Sequence, residues 1–138
     1  MTAPTALTGA RARAQVVYVG LSGLFILGLW VAFFLAGEGL FGLHGAKLDD
    51  AGVLDAHRAA GNALGAIALL LLITSFVARA GRAQTFGTIG LAVLASVAQP
   101  LLAGAGNHFV AGLHVLDAGV ILVLAFWLHL QARKVPRA

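Results

Sequence analysis

A chain of 138 residues that is 60% hydrophobic and only 10% charged cannot cover a water-facing surface, because soluble domains carry about 25% charged residues. Lipid is the solvent this composition requires, and the mean hydropathy of +0.95 agrees. The net charge of +4 comes from few basic residues, placed at the ends of apolar runs, which is a topology signal and not a nucleic-acid footprint. The absence of cysteine excludes disulfides, thiolate-ligated metals, iron–sulfur clusters and cysteine nucleophiles. Met1 is the only methionine, so cofactor ligation falls to histidine or carboxylate.

Residues 1–13 are a short polar lead whose charges are Arg11 and Arg13. From about Ala14 to Ala36 runs the first apolar segment, long enough to cross about 30 Å of hydrocarbon. A cleaved signal peptide also opens with arginines and an apolar core, but this core is too long and carries Tyr18, Trp30, Phe33 and Phe34. It is expected to be a retained span. Residues 37–54 read as the longest loop, glycine-rich and then acidic, with Leu40, Phe41 and Leu43 at the interface. Asp49 or Asp50 is placed to cap the next helix.

The second span is expected over about residues 53–78, ending at Arg79, and Ala80-Gly81-Arg82 makes a short turn. The third covers about 85–103, with Pro100 near its end, where it should kink or loosen the helix. Gly104-Ala105-Gly106-Asn107 is a tight connection, and the fourth span covers about 108–131. No internal repeat stands out. The fold class is therefore all-α: one integral membrane domain over residues 1–138, an up-down-up-down four-helix bundle. Arg11, Arg13, Arg79, Arg82, Arg133, Lys134 and Arg137 fall on one side, against Lys47 and Arg58 on the other, which predicts that both termini are cytoplasmic. The location implied is multi-pass in the inner (plasma) membrane of a bacterium.

Depth along the spans sorts the polar residues. His57 lies about 33 Å along the helix from Arg79, and His114 about 28 Å from Arg133. The two spans run parallel, so both histidines lie within about 5 Å of one height. Gln99 and Asp117 share a level just below, with Asn62 nearby. The outer half collects His57, Arg58, Asn62, Gln99, Asn107, His108, His114 and Asp117, and the inner half has almost nothing polar except His129 and Thr74-Ser75. Ionisable groups within spans are costly and face an interior with partners.

Two explanations stand. In the first, these groups are interfacial or join helices: Arg58 snorkels to lipid phosphate, and Asp117 accepts from Gln99 or pairs with Arg58. In the second, His57 and His114 supply two imidazoles from facing helices to one haem iron. Small residues then flank the ligands: Gly61, Gly65 and Ala68 after His57, and Ala118 and Ala125 around Ile121 after His114. The same glycines equally suit a small-residue packing face. Arg58 matches a haem propionate, and Asp117 is placed to orient a ligand or carry a proton. His114 is preferred to His108 as the second ligand because it lies well inside its helix. His129 has no histidine to face it, so one haem is the most expected. Zinc or copper on the two histidines would need a third ligand, His108 or Asp117.

The layout resembles one four-helix half of haem A synthase, in which the second and fourth helices each bring a histidine and the second carries a His-Arg pair near its outer end. Here that pair is His57-Arg58, and the fourth-helix histidine is His114. It is also similar to bacterial four-span proteins with a histidine heading helices two and four. The resemblance implies one haem b held by His57 and His114. This chain has one bundle where the synthase has two. The function expected is a small membrane b-type cytochrome. It would exchange electrons with a quinol or a partner subunit, in the bilayer, without nucleic acid, and is compatible with a homo-oligomer. The alternatives are a non-haem accessory subunit of a membrane complex, or a small proton-coupled carrier built on Asp117, Gln99 and the histidines.

Overall fold

The computed structural model describes residues 9–41, 52, 54–79, 81–105 and 107–135, and of His108 and Ala111 the backbone alone. These residues are all-helical: α1 (Gly9–Phe41), α2 (Asp55–Ala78), α3 (Arg82–Ala103) and α4 (His108–Arg133). All four contain a stretch long and apolar enough to cross a membrane. Leu27, Ile73, Phe86 and Val123 are among the large apolar side chains they leave exposed, as a lipid-facing surface requires.

Helix α1 continues to Phe41, through Gly37 and Gly39, where the sequence reads as loop. Extending a formed helix needs no new nucleus, so two glycines at about 1 kcal/mol each do not stop it. Helix α2 starts at Asp55 with Leu54 at its N-cap and no side-chain cap. Asp49 and Asp50, expected to cap it, lie outside the described residues, as does the rest of the loop over 42–51. Asn107 caps α4, its side chain accepting from the Phe109 amide at 2.8 Å.

Pro100 acts differently from a plain kink. It has no N–H to give the Ser96 carbonyl, and its ring crowds that oxygen. The turn before it, Leu94–Ala98, opens into a π-helical turn in which the Gln99 amide bonds Leu94, five residues back. Ser96 uses the widened turn to donate to the Gly65 carbonyl of α2 at 3.2 Å.

Helix α1 packs against α2 and α4, and α3 packs against the same two, so α1–α3 and α2–α4 are diagonals without backbone contact. Tyr18, Phe25, Leu71, Leu91, Ile121 and Leu128 fill the middle. Ala68, Ala125 and Ala132 are also fully or almost fully buried, and such small residues let helices approach closely. Hydrogen bonds identify which helix ends meet. Gln15 near the start of α1 bonds Gln84 near the start of α3 and the Ala132 carbonyl near the end of α4. Arg13, Arg82 and Arg133 therefore share one end of the bundle. At the other end His57, near the start of α2, meets Ala32 of α1.

Candidate functional site

Each diagonal of the bundle is bridged by polar side chains, one at each end. At the end away from the arginines, His57 of α2 and His114 of α4 reach across and meet, ring centroids 6.1 Å apart and planes at 79°. Both are partly buried. His57 Nδ1 lies 2.9 Å from the Ala32 carbonyl, and His114 Nδ1 lies 3.2 Å from the Gln99 carbonyl. A carbonyl only accepts, so each Nδ1 carries the proton of its bond, and in a neutral ring Nε2 is then the nitrogen with the lone pair. That is how metal-binding histidines are held: the second ring nitrogen donates to the backbone and sets tautomer and orientation. The neighbouring helices supply the carbonyls, α1 for one ring and α3 for the other.

Gln99 holds His114 twice. Its carbonyl accepts from the ring, and its Nε2 donates to the His114 carbonyl at 3.0 Å. Gln99 therefore does not bond Asp117, the partner considered from sequence. It follows directly on the π-helical turn, which adds one residue to the helix and so re-aims Gln99 toward α4. Asp117 lies one turn beyond His114, and its Oδ2 is buried without a hydrogen-bond partner among the described residues. A buried polar atom left this way is uncommon.

The separation of the two rings can be compared with metal geometry. A metal sits about 2.0–2.1 Å from an imidazole nitrogen, and the ring centroid lies about 1.1 Å further on. Two imidazoles on opposite sides of one ion thus have centroids about 6.3 Å apart, against about 5 Å at a tetrahedral angle. The observed 6.1 Å is close to the first value. Among the described residues no three histidine, cysteine or acidic side chains gather as a metal-binding group. Two imidazoles alone leave a zinc or copper ion short of the ligands it needs. His108 begins α4, and its side chain is outside the described residues.

The other residues singled out from sequence are dispersed. Arg58 is exposed and pairs with Asp55 one turn before it at 3.1 Å, not with Asp117. Gly61 is exposed, and a Cβ there would meet nothing within 4 Å. Asn62 is exposed too, five residues past His57 and so about 140° around the helix from it. Gly65 is buried against Ala95 and Ser96 of α3, so it serves helix packing.

The opposite end corrects the expectation that the inner half is almost free of polar groups. Gln15 and Gln84 exchange two amide hydrogen bonds of 3.2 and 3.1 Å, and Gln15 also donates to Ala132 at 2.9 Å. Thr88 donates to the Gln84 carbonyl at 2.7 Å, so the 2.6 Å bond to Tyr18 is donated by the Tyr18 hydroxyl. Ser22 donates to Val19 and accepts from His129 Nδ1 at 2.8 Å. Gln15, Tyr18 and Thr88 are 0% exposed. The missed signal is spacing: Gln15, Tyr18 and Ser22 fall on one stripe of α1, and Gln84 and Thr88 on one of α3. Thr74 and Ser75 bond carbonyls of their own helix.

Compared with protein families, curated proteins and solved structures, the chain finds no match in any of the three.

Proposed function

We propose that this chain is a membrane haem protein of the bis-imidazole class, and within it a small b-type cytochrome that transfers electrons. In this reading it is an up-down-up-down bundle in the inner (plasma) membrane with both termini cytoplasmic. One haem b would be held near the outer leaflet by His57 and His114. The observation that carries it is the pair of rings 6.1 Å apart, each with Nδ1 tied to a carbonyl of a neighbouring helix. The chain has no cysteine, so covalent c-type attachment is excluded.

A haem held by two imidazoles has no open iron position, so what it supplies when bound is electron transfer and not oxygen chemistry. The protein's own part is to hold the two rings in one tautomer. Arg58, exposed and paired with Asp55, would be the cation available to a haem propionate. A quinol from the bilayer or a partner subunit is the proposed exchange partner.

The test is an absorbance spectrum of protein purified from cells supplied with haem. A Soret band that shifts on reduction is expected, and His57→Ala and His114→Ala should each abolish it while the protein remains helical. A colourless wild-type protein would sink the proposal. In that case copurifying subunits would favour the accessory-subunit reading. Liposome flux lost in Asp117→Asn would favour the carrier.

A further inference from the structure

The turn between α2 and α3 borders a groove that electron transfer does not use. It measures about 480 Å³ and is lined by Phe76, Arg79, Gly81, Arg82, Thr85 and Phe86. Two of these are guanidinium cations and none is acidic. Helix α3 begins at Arg82 without a side-chain cap. Its first internal bond runs from the Thr85 amide to the Gly81 carbonyl at 3.1 Å, so the amides ahead of Thr85 have no partner within the helix. Gly81 has no Cβ and a φ of +144°, which leaves the entrance to those amides open. Phe76 and Phe86 are 53% and 67% exposed and line the groove from the two helices.

These features call for one ligand that joins anionic oxygens to hydrocarbon. A guanidinium pairs with phosphate oxygens in a bidentate fashion, and uncapped amides add to it. The phenylalanines need an apolar partner. We propose that this groove binds the phosphodiester headgroup of an anionic phospholipid, with the acyl chains against Phe76 and Phe86. Charge complementarity selects among lipids, since a zwitterionic headgroup brings its own cation to the two arginines. The site is independent of haem.

Native mass spectrometry of the full chain released from detergent tests this, with phosphatidylglycerol and phosphatidylcholine of identical chains as the added lipids. Wild type should retain phosphatidylglycerol preferentially. The test variant is Arg79→Asn with Arg82→Gln, because Arg79 has a left-handed backbone, φ 49°, that asparagine tolerates. It should bind phosphatidylglycerol about thirtyfold less well, as expected for two cations at about 1 kcal/mol each beside anionic lipid. Arg82→Gln alone, on an exposed helix surface, should lose about fivefold and serves if the double variant fails to fold. Arg11→Gln with Arg13→Gln, at the same end of the bundle, should bind like wild type. Equal retention of the two lipids by wild type overturns the proposal. So does an equal loss in the Arg11/Arg13 variant, or displacement of the lipid by millimolar inorganic phosphate.

Discussion

Replacing Gln15 by leucine probes the buried polar layer that ties α1 to α3 and α4. The side chain is 0% exposed and makes three hydrogen bonds, two with Gln84 and one with the Ala132 carbonyl. Leucine has similar bulk but no polar atom, so Gln84 loses both partners and Ala132 loses one. A hydrogen bond between membrane helices contributes about 0.6 kcal/mol on average and up to about 1.7, and a stranded buried group adds about 1–3 kcal/mol. The expected cost of Gln15→Leu is therefore about 2–4 kcal/mol. Gln84→Leu leaves Gln15 its bond to Ala132 and should cost less, about 1–3 kcal/mol. The double variant strands neither amide, and replacing both partners by apolar groups is close to neutral. It should be more stable than the sum of the single changes by about 2–3 kcal/mol. Reversible unfolding in mixed micelles, run as a double-mutant cycle, measures this. Strict additivity, or a Gln15→Leu cost below about 0.5 kcal/mol, would refute the reasoning.

Other consequences follow from single contacts. A Cβ on Gly87 would lie 2.9 Å from both Leu128 Cδ2 and Trp127 Cζ3; Gly87→Ala should destabilise by about 1–2 kcal/mol. Gly20→Ala, with nothing within 4 Å, should stabilise by up to about 1 kcal/mol in the same unfolding assay. Gln99→Leu removes one of the two bonds to His114 but leaves the backbone carbonyl on the ring. It should therefore keep the Soret band while weakening haem affinity about fivefold in a titration. Complete loss of colour would mean that the side chain, not the carbonyl, positions the ring. Arg58→Gln breaks only an exposed pair with Asp55 and should change the melting temperature little, because such pairs contribute at most about 1 kcal/mol.

Both polar layers bridge diagonals, where helices do not touch and side chains must span the gap. The His57–His114 pair was legible because two histidines at matched depth on parallel spans can be found by counting residues back from the basic turns. The Gln15–Gln84 layer escaped the same count. Its residues are uncharged and close to span ends, where an amide or a hydroxyl is readily assigned to the headgroup region. Only the packing showed that the stripe Gln15, Tyr18 and Ser22 faces inward. Gln99 illustrates the other difficulty. In a regular helix its direction follows from a 100° step, but the π-helical turn before Pro100 adds a residue, and the partner becomes the His114 backbone in place of Asp117.

Composition alone determined that this protein is helical and lipid-embedded, because 10% charged residues cannot solvate a surface and a bilayer leaves exposed backbone few alternatives to the helix. Segment lengths then set the number of long apolar helices at four. The tertiary structure decided which polar atoms meet, and with which tautomer, since a hydrogen bond depends on rotations of a few tens of degrees that a residue count does not carry. It also decided that Arg58 and Asn62 point outward and that Asp117 buries an oxygen without a donor among the described residues.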